Sequence, residues 1–557
     1  MSSERFIYLP LGGAGEIGMN AYVYGYGKPD EERLILVDLG VAFPDMDGTP
    51  GVDLILPDIK WLEERKNRLE AVFITHAHED HIGAVGHLYE RLGAPIYARP
   101  FTANLARGKL AEYGIAEKAV RIAGTWPETV KTGPFTVGFV PISHSIPESA
   151  GLAIDTPAGR VIHTGDFKLD ETPIVGEAFD PDLWADVAKD GVKAMICDST
   201  NVFSPHAGRS EVSVGPEITK MVADASGMVV ATTFASNVAR VKTLADAGVA
   251  AGRSICLLGR AMRRMVEASI ETGVLKDFPT VIPPEDVNSM PRENVMLLVT
   301  GSQGERRAAS AQLANGKYMG ITLKEGDTFL FSSKTIPGNE KGVIRIINMF
   351  SEKGVDVVDE NSGGHYHVSG HANRPDLERM QEIVNPQVVI PMHGEHRHLR
   401  EHVKLSQSKG RASILAVNGM MIDLSGNAPK VAEYIETGRT YLDGSVQIGA
   451  LDGIVRDRIR MALNGHVMVN VIIDEEDQPL GDAWVEIMGL AETGRSRAPL
   501  QDVLEEDLSQ FLGRANAKTL RDDVRLEKEL RTLTRKSTQS EIGKKPEVTV
   551  VISRLSA

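Results

Sequence analysis

Six consecutive residues, His76-Ala77-His78-Glu79-Asp80-His81, carry three imidazoles and two carboxylates directly after an apolar run over 69–75. Such a chain must bury the run and keep the histidines convergent at its end. The stretch Ala71-Val72-Phe73-Ile74-Thr75 reads as a buried strand, and open α/β sheets set their ligand crevices at the carboxyl ends of strands. Alternate residues of an extended turn face the same way. His76 and His78 can therefore share one cation while Asp80 and His81, opening the next helix, face a second. Imidazole and carboxylate together suit borderline divalent ions such as zinc or manganese, and two such ions can activate a water and hold a phosphate. The bland alternative is a cluster of surface histidines. It fits poorly in a chain with 15 histidines among 557 residues.

Four ligands do not fill two coordination shells. Three further apolar, strand-like runs end in a candidate: 137–143 leads into His144, Arg160-Val161-Ile162-His163-Thr164-Gly165 into Asp166, and Val388-Val389-Ile390-Pro391-Met392 into His393. Each alone reads as well as an ordinary turn or buried residue; their common placement at strand ends groups them. Asp166 is the natural bridging carboxylate, because two oxygens can span two cations. Asp38, ending Leu34-Ile35-Leu36-Val37, is either a plain turn aspartate or a carboxylate that orients a ligand histidine and fixes its tautomer.

The order Asp38, His76-x-His78-x-Asp80-His81, His144, Asp166, His393 resembles the metallo-β-lactamase fold, an αββα sandwich with two zinc ions on one edge. The interval between Asp166 and His393 leaves room for an entire further domain. The nucleic-acid-processing branch of that fold inserts its β-CASP domain there. Within the branch, Leu11-Gly12-Gly13-Ala14-Gly15-Glu16-Ile17-Gly18-Met19-Asn20, Gly363-Gly364-His365-Tyr366-His367-Val368-Ser369-Gly370-His371-Ala372 and Pro391-Met392-His393-Gly394-Glu395 look like ribonuclease J. The resemblance covers essentially the whole chain. It implies hydrolysis of RNA phosphodiesters by a 5′-to-3′ exonuclease that prefers 5′-monophosphate ends, with endonucleolytic cleavage as a second mode, in RNA decay and rRNA and mRNA maturation.

By this resemblance, His76, His78, Asp80, His81, His144, Asp166 and His393 would hold two divalent ions, zinc or alternatively manganese. His367 would protonate or stabilise the leaving group. Asp198, ending Ala194-Met195-Ile196-Cys197, would orient this machinery or merely cap its own turn, and Asp38 and Asp80 complete the catalytic set. A pocket for the terminal 5′-phosphate would draw on Ser236, Ser369, Gly370 and His371, with His398 a weaker candidate, because short polar side chains and glycine let backbone NH groups approach a phosphate. The Ser-Gly-His turn could equally be structural. One departure from the family pattern follows Gly301-Ser302-Gln303-Gly304-Glu305, where Arg306-Arg307 stands in place of an expected proline. It bears on the path of RNA, not on the metals.

Gly13-x-Gly15-x-x-Gly18 also satisfies a dinucleotide-binding fingerprint. That fingerprint requires a following helix to receive the pyrophosphate. Asn20-Ala21-Tyr22-Val23-Tyr24-Gly25-Tyr26-Gly27 is aromatic, β-branched and glycine-punctuated, which reads as another strand.

The chain is too long for one core. The expected architecture is α/β: a metallo-β-lactamase sandwich over 1–210, an inserted β-CASP domain over 211–360, the return of the first domain over 361–440, a linker over 441–465, and a small α+β domain over 466–557. In the insert, apolar runs at 228–232, 254–258, 295–299 and 328–331 alternate with helical stretches and imply a parallel sheet. In the tail, strand-like runs at 466–473 and 547–553 flank a charged helical segment near 516–537. Cys197 and Cys256, each among apolar neighbours, read as reduced core thiols. No stretch approaches the ~18 apolar residues that span a bilayer, and the N-terminus runs directly into a strand, so a cytoplasmic protein without a membrane partner is expected. The formal net charge of −15 opposes a polyanionic substrate. Against it stand two divalent cations and basic groups at Arg260, Arg263, Arg264 and Arg306, Arg307, unless those are only solvated faces. The tail is expected to mediate self-association into a homodimer or homotetramer and to meet partners of an RNA-degradation complex. Two rival readings remain: a small-molecule metallo-hydrolase, which needs no inserted domain, and a non-catalytic RNA-binding scaffold, which needs no set of seven ligands.

Overall fold

The computed structural model describes residues 4–555. Strands that are apolar at nearly every position need cover on both faces. In the strand Arg5–Gly12, Phe6 and Tyr8 face one way, Ile7 and Leu9 the other, and all four are buried. Two mixed sheets supply that cover for each other. The first runs Lys430–Tyr434, Met420–Asp423, Arg5–Gly12, Ala21–Gly27, Arg33–Val37, Leu69–Phe73, Ile96–Ala98, Val120–Ile122. The second runs Ala412–Ser413, Val388–Met392, Ala194–Asp198, Gly159–His163, Ala150–Thr156, Phe135–Pro141, Val130–Thr132. Their facing sides meet in one core, where Phe6, Tyr24 and Phe73 oppose Phe139, Leu152, Ile196 and Ile390. Helices close the outer faces. Trp184 of Pro181–Ala188 and Leu377 and Met380 of Arg374–Val384 pack on Met195, Cys197 and Val389, and Pro100–Ala111 packs beside Ile96–Ala98 and Val120–Ile122. The result is the αββα sandwich.

The strand Ala21–Gly27 runs antiparallel to Arg5–Gly12, so the Gly13-Gly15-Gly18 segment feeds a strand and has no helix to offer a dinucleotide. The insert forms a second, wholly parallel sheet in the order Ser254–Leu258, Val295–Val299, Val229–Thr232, Thr328–Phe331, Asp356–Val358. Its own core gathers Leu297, Leu313, Phe329 and Phe350. Both cysteines are free and buried.

A separate compact unit takes in residues 440–555 together with Phe43–Ile55. The strands Trp484–Met488, His466–Ile473 and Glu547–Arg554 lie side by side in it. Val467, Val469 and Val471 meet Leu504 and Leu508 of the helix Leu500–Arg514 and Leu526 and Leu530 of Asp523–Ile542. Two sequence expectations are corrected here. The supposed linker over 441–465 holds a hairpin, Arg439–Asp443 with Val446–Gly449, and the helix Ile454–Asn464; Gly444, at a φ of +62°, permits the tight turn. The segment Phe43–Ile55, expected inside the first domain, joins this unit instead. The Asp53 amide donates to Leu442 O at 2.8 Å, and the Gly444 amide to Asp53 Oδ2 at 2.8 Å. Among the described residues no helix is long and apolar enough to cross a membrane.

Candidate metal centre

The strand Leu69–Phe73 delivers His76 and His78, the short helix Glu79–Ile82 carries Asp80 and His81, and the strands Phe135–Pro141, Gly159–His163 and Val388–Met392 lead into His144, Asp166 and His393. All seven meet on one edge of the sandwich. The ligand atoms of His76, His78, His144 and Asp166 lie within 4.8 Å of one another, as do those of Asp80, His81, Asp166 and His393. Asp166 belongs to both groups.

Hydrogen bonds to the outward ring nitrogens decide which nitrogen faces inward. His81 Nδ1 donates to Asp38 Oδ2 at 2.7 Å, leaving Nε2 toward Asp166. His76 Nδ1 lies 3.0 Å from Thr75 Oγ1, and that hydroxyl donates to Asp38 Oδ2 at 2.9 Å. His144 Nδ1 donates to Gly370 O at 2.6 Å and His393 Nδ1 to Asn20 Oδ1 at 2.9 Å. His78 is turned the other way: its Nδ1 stands 3.2 and 3.1 Å from the Nε2 atoms of His76 and His144, while its Nε2 meets Ser236 Oγ at 3.1 Å.

This donor set fits cations. Asp166 Oδ1 is buried with no hydrogen-bond partner, a costly arrangement for a carboxylate unless a cation takes it. Burial, joined by neighbouring histidines, holds His76 and His144 well below the usual imidazole range and His78 at about 4, so their lone pairs are free to ligate. His81 is different. Burial opposes its charge, but Asp166, Asp80 and Asp38 outweigh it and hold its pKa well above the usual value. Asp166 is driven well below the carboxylate range, against its burial, by His393 and His81.

Beside the ligands, His371 Nδ1 donates to Asp198 Oδ2 at 2.8 Å. Asp198 Oδ1 accepts from the Thr200 amide at 2.8 Å and the Thr200 hydroxyl at 2.7 Å, so one carboxylate both caps its turn and orients a histidine. Against burial, Asp198 raises the His371 pKa to about 9. Its ring lies 5.0 Å from that of His144 and 5.7 Å from that of His393. His367, expected at the leaving group, is placed differently. It joins none of the His/Asp groups, and its Nδ1 is buried without a partner. Burial and then Arg240, Lys334 and Lys168 push its pKa to about 3. The ring is therefore neutral near pH 7.

Comparison with known proteins agrees along the chain. Residues 14–198 match the metallo-beta-lactamase superfamily, 226–350 the ribonuclease J beta-CASP domain, 365–416 the Zn-dependent metallo-hydrolase RNA specificity domain, and 453–555 the ribonuclease J C-terminal domain. A ribonuclease J from Sinorhizobium meliloti is 39% identical over 99% of this chain and 98% of its own length. The chain belongs to the ribonuclease J family. A second family member, from Corynebacterium glutamicum, is 39% identical over 87% of this chain and 67% of its own, and a third, from Thermus thermophilus, 34% over 84% and 82%. Among solved structures, a protein of unknown function from Enterococcus faecalis covers 75% of this chain and 100% of its own at a TM-score of 0.52 and 16% identity, a likeness of fold. The family's metallo-β-lactamase fold implies divalent metal, in keeping with the donor set.

The family's expected phosphate-binding residues divide by place. Ser236 touches the ligand His78, Gly370 presents its carbonyl to His144, and His371 pairs with Asp198. Ser369 Oγ accepts from Asn201 Nδ2 at 2.7 Å and from the His371 amide at 3.1 Å, bracing that turn. His398 lies on the helix His396–Ser408, its ring 5.3 Å from Phe203. Sequence reasoning missed Thr75, Asn20, Thr200 and Asn201. Thr75 alone left a signal, as the polar residue between an apolar strand and the first histidine.

If Asp166 serves both groups, Asp166→Asn should strip both ions from the purified protein, whereas His144→Ala should weaken chiefly one. Elemental analysis of metal per chain checks this. Full metal content in Asp166→Asn would refute the shared ligand.

Proposed function

We propose that this metal-dependent ribonuclease degrades single-stranded RNA from the 5′ end, prefers 5′-monophosphate ends and cleaves internally as a second mode, in RNA decay and in rRNA and mRNA maturation. What supports it is one arrangement: a two-group ligand set sharing Asp166, with the Asp198–His371 pair at its side, in a chain of the ribonuclease J family. Bound there, a pair of divalent cations, zinc or alternatively manganese, supplies Lewis acidity and water activation at a phosphodiester.

The chain's own residues do the rest. Asp38 and Thr75 hold His81 and His76 in their ligating tautomers. Asp198 accepts the hydrogen bond from His371 Nδ1–H and favours the imidazolium, so that His371 Nε2–H can pass its proton to the departing oxygen and leave a neutral ring. Such general acid catalysis is worth roughly 10²- to 10⁴-fold; what favours His371 over His367 for it is the pairing with Asp198 beside the ligand set. In this reading Ser236 from the insert and Ser369 and the Gly370 backbone from the returning segment flank the entry of an RNA end, with His398 beyond them. A triphosphate is bulkier and more charged, so a tight pocket of this kind favours the monophosphate. The protein works in the cytoplasm and self-associates as a dimer or tetramer through its C-terminal unit. In favour of that, Ile472, Trp484, Met488 and Val551 share the sheet face away from the two covering helices and are 40%, 46%, 65% and 40% exposed.

The deciding experiment is a time course on an internally labelled, 5′-monophosphorylated single-stranded RNA, with metal and after chelation, beside its 5′-triphosphorylated twin. Mononucleotides should accumulate without intermediates, faster from the monophosphate, and vanish on chelation. Discrete internal fragments would make the enzyme an endonuclease, and no cleavage with metal bound would favour the scaffold or a small-molecule hydrolase. His371→Ala should lower turnover by about 10²-fold or more with both ions retained, while His367→Ala should cost far less; the reverse ranking would restore His367. Trp484→Glu should reduce the mass found by sedimentation, and an unchanged mass counts against the C-terminal interface.

A further inference from the structure

The glycine-rich stretch ending at Asn20 has entered so far only through its bond to His393, yet Asn20 is wholly buried and reaches further into the metal centre. The Asn20 side chain makes three kinds of contact. Its Oδ1 accepts from Tyr22 Oη at 2.7 Å and from His393 Nδ1 at 2.9 Å. Its Nδ2 donates to Asp80 O at 2.9 Å, the same carbonyl that accepts the Asn20 backbone amide at 2.9 Å. Nδ2 also lies 3.0 Å from His81 Nε2 and 3.5 Å from Asp80 Oδ2; when a cation takes the His81 lone pair, the Asp80 carbonyl remains as acceptor. The amide orientation follows from two partners, the His393 N–H, which requires oxygen, and the Asp80 carbonyl, which requires the NH2 group; the Tyr22 phenol, also 3.3 Å from Gly13 O, agrees with it. Burial holds the Tyr22 phenol well above its usual range, so it stays a donor.

One glycine makes room for this side chain and another for the carbonyl it binds. A Cβ on Gly13, at a φ of +80°, would lie 2.2 Å from Asn20 Oδ1 and 2.3 Å from Tyr22 Oη, and a Cβ on Gly40 would lie 1.6 Å from Asp80 O. The same Gly13 accepts the His393 amide at 2.7 Å, and Gly40 donates to Asn20 O at 2.9 Å. His393 itself has a φ of +50°, a left-handed backbone that needs such support.

We propose that Asn20 is the positioning residue of the second cation site: braced by Tyr22, its amide ties His393 to the Asp80–His81 turn. None of its contacts touches His76, His78 or His144, and the first group meets it only at one remove, through the shared Asp166. This rests on the metal-dependent reading above, and the test separates the two.

Zinc stoichiometry and affinity, read by chelator competition, are measured on the full chain, on Asn20→Ala and on Tyr22→Phe. Asn20→Ala should bind the first ion as the parent does and the second about 10- to 100-fold more weakly, with activity recovered as zinc is raised. Tyr22→Phe, which removes one hydroxyl, should show a smaller loss at the same ion. Should Asn20→Ala fail to fold, Tyr22→Phe decides: a selectively weakened second ion supports the assignment, and two ions at parental affinity overturn it. Parental affinity for both ions in Asn20→Ala overturns it directly. A parent that binds no zinc or manganese would overturn the metal reading itself, and this inference with it.

Discussion

Asp38 is a carboxylate with no access to solvent, placed at the end of the strand Arg33–Val37 with a φ of +61°. A buried carboxylate is tolerable only when its oxygens are taken. Here Oδ1 accepts the Thr75 amide and Oδ2 accepts both the Thr75 hydroxyl and His81 Nδ1. Burial raises its pKa, and His81 and Thr75 pull it back only in part. The carboxylate therefore depends on His81 as much as His81 depends on it. Through Thr75 the same group reaches His76, so one residue controls the tautomer of a ligand in each half of the centre. Left-handed backbone is unusual for any side chain but least so for Asp and Asn, which explains why an aspartate can both end the strand and turn back toward Thr75.

The remaining ligands are held from farther away. His78 leans on Ser236, 158 positions on, His144 on the Gly370 carbonyl, 226 positions on, and His393 on Asn20, 373 positions back. Three regions of the chain, the N-terminal motif, the insert and the returning segment, each supply one of these bonds. The centre is complete only when the insert has folded and the chain has come back. Contacts of such sequence separation form late, since closing a long loop precedes any reward. The insert thus reaches the centre directly: its Ser236 hydroxyl is part of what keeps His78 Nδ1 facing the other candidate ligands.

Much of the fold is legible in the sequence because strands covered on both faces are unbroken apolar runs, and runs such as Val295–Val299 or Val388–Met392 appear in the structure at the expected residues. The ligand candidates are legible for a related reason: a histidine or aspartate at the end of such a run has nowhere to go but the sheet edge. Pairings across long separations are not legible. His367 and His371 sit four apart in one motif, and only the turn braced by Asn201 and Ser369 decides that His371 meets Asp198. Asn20 reads as the end of a glycine motif, since its partner His393 lies near the other end of the chain. The segment Phe43–Ile55, with its prolines and glycines and no periodicity, carries no sign of the unit it joins.

The acidity of the chain is less of an obstacle to RNA than its net charge of −15 implies. At physiological ionic strength, exposed charges farther apart than about 8 Å are largely screened, so the field at the ligand set is fixed locally. The acidic runs at 474–477 and 505–507 belong to the C-terminal unit, not to the one that holds the ligand set. Around the returning segment the local sign is the opposite. His367 is depressed, after burial, by Arg240, Lys334, Lys168 and His365 together, so its surroundings favour anions over protons. Arg240 and Lys168 are partly neutralised by Glu211 and Asp170, but Lys334 is exposed and the seven-residue ligand set calls for divalent cations.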